Sequence, residues 1–188
     1  MSNSYENLYN NNKIPGYYIR WYDSDFDRSN YPNEKPIGAI DEWLGENNYR
    51  SRGFHLGLHN GDHDAPGVSS LGSAWTDHTY GHTYCGQSSD GNIANTAIHE
   101  SFHTLIDTSL SSVQDMTGDG DRDGAHTLGK VWKVQNTYVT VYRETPLGSP
   151  GASPHGDCDG EDNSPDSYSD YATSCESDAI KYTHDDKF

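Results

Sequence analysis

From about Asn92 to Asp107 the apolar residues fall at Ile93, Ala97, Ile98, Phe102, Leu105 and Ile106, which is one face of a helix. Asp90 suits its N-cap. The same period recurs in Ile37, Ile40, Trp43 and Leu44, predicting a helix over 36–48 with Pro36 in the first turn. "GFHLGLH" (53–59) sets Phe54, Leu56 and Leu58 against His55, Gly57 and His59, the alternation of a half-buried strand. Aromatic and β-branched residues in "GYYIRWY" (16–22) and "NTYVTVYRE" (136–144) predict two more strands. "SSLGSAWTD" (69–77) predicts a short edge strand, and "YATSCESDAIKYT" (171–183) a closing helix. Residues 1–13 read as a loose arm and 78–91 as irregular. The run from 145 to 170 is a long loop dense in Pro, Gly, Ser and Asp.

No internal repeat is present. The order is strand, helix, strand, edge strand, helix, then a less regular second half. It predicts an α+β fold with a small mixed sheet. With 188 residues the chain has the length of one domain, divided here into an N-terminal part, 1–107, and a C-terminal part, 108–188.

The longest predicted helix contains "NTAIHESFHTLID", residues 95–107. Residues four apart on a helix share a face, so His99 and His103 can aim ring nitrogens at one ion. Zinc accepts such imidazoles. Glu100, one position after the first histidine, can reach a water on that metal without binding the metal. A Lewis acid and a base for the water's proton are what hydrolysis needs. The plain alternative is a coincidence on an amphipathic helix, which ten histidines in the chain make easier. The apolar neighbours of both histidines argue against it, because an unpartnered imidazole at a core margin is costly.

Composition narrows the setting. Acids outnumber bases 29 to 12, for a net charge of −17, and the acids are scattered along the chain. Such a surface repels nucleic acid and anionic lipid, which are excluded as partners. Only 31% of residues are hydrophobic, and Tyr, with 14 copies, supplies much of that fraction. Many aspartates and few lysines fit adaptation to high salt, where cations screen self-repulsion; a calcium-rich extracellular setting fits the same charge. No stretch reaches the ~18 apolar residues of a membrane span, and no signal peptide is legible. Of three cysteines, Cys158 and Cys175 bracket a polar loop and suit a disulfide in a secreted protein, leaving Cys85 over.

"HESFH" matches the HExxH motif of the zincin metallopeptidases, and the layout of residues ~16–107 resembles their N-terminal subdomain: strand, backing helix, strands, active-site helix. The resemblance implies a secreted, monomeric zinc metallopeptidase acting on peptide or protein substrates. It also implies that "GSAWTD" is the edge strand that holds substrate. The metzincin continuation is absent, since Ile106 and Ser109 replace the expected glycine and histidine. The gluzincin glutamate is absent too, since no glutamate lies between Glu100 and Glu144. His126, in "DGAHTLGKV", leads the candidates for third ligand, and "HTLG" resembles a segment of secreted zincin-like proteins of haloarchaea. An aspartate among Asp119, Asp121 and Asp123, or Asp115 or His155, remains open. Neither Met1 nor Met116 lies where the family's methionine turn would. Tyr142 is the candidate oxyanion donor, against an ordinary packing role.

Two further features stand outside the motif. "DGDRDG" (119–124) begins like a calcium loop, with Asp119, Asp121 and Asp123 alternating, but Lys130 stands where an EF-hand needs glutamate. A shorter calcium loop and a solvated acidic turn both fit. His55, His59, His63, His78 and His82 cluster in sequence and allow a second metal site, though solvated histidines are the commoner outcome. Besides a peptidase, the sequence allows a zincin-like binding protein without turnover, and a calcium-stabilised extracellular module.

Overall fold

The computed structural model describes residues 1–20, 22, 26–59, 67–70, 73–85, 90–117, 124–129, 131–135, 140–148, 166–169 and 171–188. The fold is mixed α+β. Helices α1 (Ser2–Asn10) and α2 (Pro36–Glu46) precede strands β1 (Gly53–His59), β2 (Gly67–Ser69) and β3 (His78–Tyr84). Helices α3 (Asp90–Leu105) and α4 (Ser111–Thr117) follow, then a 3-10 turn (Gly124–Leu128). Strands β4 (Val131–Gln135), β5 (Thr140–Glu144) and β6 (Ser167–Tyr168) and helix α5 (Ser174–Lys187) complete the order.

The first sheet runs β1-β3-β2, with β1 and β3 parallel and β2 antiparallel on the edge. The second runs β4-β5-β6, with β4 and β5 antiparallel and β6 parallel to β5. The expected small mixed sheet is present. Helix α2 covers one face of the first sheet through Ile40 and Leu44, which bury against Tyr80 of β3. Helix α3 packs on β2 and β3.

One apolar cluster holds the rest together. It takes Leu8 from α1, Ile98, Phe102 and Leu105 from α3, Val113 from α4, Leu128 and Leu147 from connecting segments, and Ile180 from α5. The two halves of the chain therefore share one core. Phe102 is fully buried at its centre. Polar residues on α3 are buried as well and bond locally: Ser101 Oγ donates to the Ile98 carbonyl and Thr104 Oγ1 to that of Ser101.

Four expectations fail, each for a packing reason. Residues 1–13 are not a loose arm: Leu8 is buried in the core, and Tyr5 meets Phe102 edge to face at 6.5 Å. The described part of 16–22 forms no strand. Its rings pack on side chains elsewhere, Tyr17 tilted against Tyr5 and edge-on to Tyr9, and Tyr22 tilted against Tyr49. Residues 78–84, read as irregular, are the central strand. Finally, the edge strand is Gly67–Ser69 and not "GSAWTD". Residues 74–76 form a turn that caps the C-terminus of α3, with Ala74 N–H donating to the Thr104 carbonyl and Trp75 Nε1–H to the Leu105 carbonyl, each at 2.9 Å. Helix-end carbonyls lack intrahelical partners, and that need claims this segment.

Cys175 is disulfide-bonded and Cys85 is free; Cys158 lies outside the described residues. No described helix is long and apolar enough to cross a membrane.

Candidate metal centre

His99 and His103 stand one turn apart on α3, and His126 comes from the 3-10 turn. Their Nε2 atoms form a nearly equilateral triangle. The sides are 3.0 Å (His99–His103), 3.2 Å (His103–His126) and 3.2 Å (His99–His126). His99 and His126 stack at 24°, and His103 stands edge-on to both. This trio is the one group of metal-ligating side chains found among the described residues. Tetrahedral zinc at ~2.0–2.1 Å from each nitrogen separates its ligands by about 3.3–3.4 Å. The observed triangle lies within about 0.3 Å of that, so the residues fit the ion.

The tautomer of His99 is fixed from behind. Its Nδ1 lies 2.7 Å from the Pro146 carbonyl, which can only accept, so Nδ1 carries the hydrogen and Nε2 presents its lone pair to the centre. Burial, and then the neighbouring His126, push the His99 pKa down to about 4. Burial, with His99 and His126 beside it, pushes His103 down to about 3. Both rings are therefore neutral at pH 7, the state in which imidazole binds a metal.

Glu100 points from α3 toward the edge strand and is 6% exposed. Desolvation raises its pKa, opposed by a hydrogen bond from the Ser69 hydroxyl. A Cβ placed on Gly67 would lie 2.7 Å from Glu100 Oε1 and 2.6 Å from Thr96 Cγ2. The strand thus comes this close to the carboxylate because residue 67 has no side chain.

The structure brings His99, His103 and His126 together and places Glu100 beside β2. Asp115 is exposed on α4 and is not part of the cluster. Tyr142 lies on β5 opposite Lys133; its side chain is outside the described residues. Asp119, Asp121 and Asp123 of the predicted calcium loop, together with His63 and His155, also lie outside them. Of the other histidines, His55 Nε2 lies 2.7 Å from the Ser51 carbonyl, His82 Nε2 2.8 Å from the Pro36 carbonyl, and His78 pairs with Asp77.

The sequence reading missed Pro146, Gly67, Ser69 and Glu176. Only Glu176 left a signal. "TSCE" (173–176) has the T-x-x-E form of a capping box, and that box is present at the start of α5. No family model matches the chain, and neither a comparison with curated proteins nor one with solved structures finds a match.

Proposed function

We propose that the chain is a zincin-type zinc metallopeptidase that cleaves peptide bonds outside the cell, in high salt. The observation that carries this reading is the convergence of three Nε2 atoms within 3.2 Å of one another, with Glu100 one residue after the first of them. An HExxH helix lying under an edge strand, with a backing helix across the sheet, supports the same family.

His99, His103 and His126 would hold the ion, three protein ligands being the usual number in a catalytic zinc site. Zinc, when bound, polarises a substrate carbonyl and lowers the pKa of water. Glu100 takes the proton of the attacking water and passes it to the leaving amine. Its buried position suits both transfers, because desolvation moves a carboxylate toward the working pH. Ser69 holds the Glu100 carboxylate in place through its hydroxyl. Val68, exposed at the middle of β2, marks the strand edge along which an extended peptide would lie.

The test is cleavage of an unstructured protein with zinc in high salt, wild type beside Glu100→Gln. Wild type should cleave. The variant should bind one zinc and lose about 10²–10⁴ in kcat/KM. Stoichiometric zinc with no cleavage by wild type would leave a metal-binding protein without turnover. No bound zinc would make the histidine cluster incidental.

A further inference from the structure

We propose that the capping box at the start of α5 is the positioning element of the metal centre, with Thr173 steadying the His126 segment and Glu176 the loop that orients His99. This rests on the reading of the trio as a zinc site.

Within the box the two residues serve the helix. The Glu176 N–H donates to Thr173 Oγ1 at 3.0 Å, and the Glu176 carboxylate accepts the Thr173 N–H. Each then makes a bond that capping does not require. Thr173 Oγ1 donates to the Leu128 carbonyl at 2.9 Å. Leu128 closes the 3-10 turn that carries His126 two residues earlier. Glu176 Oε1 accepts the Leu147 N–H at 2.7 Å, and Glu176 also takes a hydrogen bond from the Thr145 side chain. Thr145 and Leu147 flank Pro146, whose carbonyl faces His99 Nδ1. One helix start therefore holds both the segment that bears His126 and the loop that orients His99.

Burial shows that the arrangement exceeds helix capping. An exposed glutamate serves a capping box equally well. Glu176 has no exposed surface, and removing a carboxylate from water is costly unless its hydrogen-bonding capacity is used. Here that capacity goes to residues 145–147 as well as to the cap. Leu147 and Leu128 are themselves fully buried beside it. The loop and the turn are thus anchored by packing and by hydrogen bonds from one point.

The experiment measures zinc affinity by competition with a chelator, for full-length wild type, Glu176→Gln and Thr173→Val. Leu44→Ala, in the separate cluster under α2, controls for general destabilisation. Leu147 and Thr173 donate to different oxygens of the carboxylate, and in glutamine one of those oxygens becomes an NH2 that cannot accept, so Glu176→Gln releases one arm while keeping a residue that capping boxes tolerate. Both cap variants should bind zinc about tenfold more weakly, the lower end of the loss seen when outer-shell partners of a metal are removed. Leu44→Ala should melt earlier yet bind zinc as wild type does. By reciprocity of coupling, zinc should slow hydrogen exchange at the Leu147 amide of wild type. Unchanged zinc affinity in both cap variants would overturn the proposal, as would an equal loss in Leu44→Ala. Wild type that binds no zinc would instead overturn the metal reading beneath it.

Discussion

Gly67→Ala tests whether the approach of β2 to α3 sets the position of the Glu100 carboxylate, the base of the proposed peptidase. The added methyl would stand 2.6 Å from Thr96 Cγ2, 2.7 Å from Glu100 Oε1 and 3.0 Å from Glu100 Cγ. Carbon atoms rest at about 3.5–4.0 Å, so relieving the clash with Thr96 alone needs about 1 Å of movement. Thr96 lies inside a helix that packs on β2 and β3, so the strand and the Glu100 side chain must absorb most of the shift. Overpacking of this kind costs about 1–3 kcal/mol, and a 1 Å misplacement of a catalytic group costs about 10²-fold in rate. The expectation is a protein that folds, binds one zinc because its histidines are untouched, and loses about 10² in kcat. The assay pairs zinc stoichiometry with peptide-cleavage kinetics and a thermal melt. A kcat within threefold of wild type in a zinc-loaded variant would refute the argument that Gly67 sets the carboxylate. Loss of zinc together with rate would mean that the strand supports the whole centre.

Trp75→Phe removes the indole N–H that caps the Leu105 carbonyl. It should cost about 1 kcal/mol and lower Tm by about 2–4 °C with zinc binding intact; an unchanged Tm would show that water replaces the cap freely. In metal-free protein, NMR titration should find His99 protonating near pH 4, against about 6.5 for a free imidazole. The folded state then binds fewer protons than the unfolded one, so the stability contributed by this ring is complete above pH 6.5 and is lost as pH falls toward 4. Glu176 works in the opposite sense. Burial raises its pKa to about 7, so its contribution is complete below pH 4.5 and is lost as pH rises through 7. A His99 midpoint near 6.5 would show a ring more open to water than the structure has it. Raising salt from 0.1 to 1 M shortens the screening length from about 10 to about 3 Å. A chain of net charge −17 should then unfold at higher denaturant concentration, and no rise would count against an acid-repelled fold.

Much of the frame is legible in local pattern. Helices α2 and α3 follow from period and turn residues, because each buries one face that its own sequence marks. Helix α5 and strand β1 are legible as elements but not by face: α5 buries Glu176, Ser177 and Thr183 beside Ala179 and Ile180, and β1 buries His55 while leaving Leu58 exposed. His99, Glu100 and His103 are legible because a single helical turn fixes their relation. His126 is nominated by its place along the chain and by the resemblance that "HTLG" carries; packing through Leu128 is what delivers it. What the sequence hides is decided by partners distant in the chain. The Trp75 segment looks like a strand until the carbonyls of Thr104 and Leu105 claim its donors. Strand β3 escapes because it is buried on both faces and shows no alternation: Thr79, Tyr80, His82, Thr83 and Tyr84 are all inside. Backbone groups such as the Pro146 carbonyl carry no residue signature at all.

The anchoring of Leu128 and Leu147 by α5 sets an order of events during synthesis. A chain leaves the ribosome from its N-terminal end, so His99 and His103 emerge long before Thr173 and Glu176. Until α5 docks, the nascent chain carries two imidazoles on a helix while the anchors that orient their cage are still unmade. On the proposed zinc reading, metal capture would wait for that docking. On the proposed peptidase reading, so would cutting power, which would spare the machinery that makes the chain.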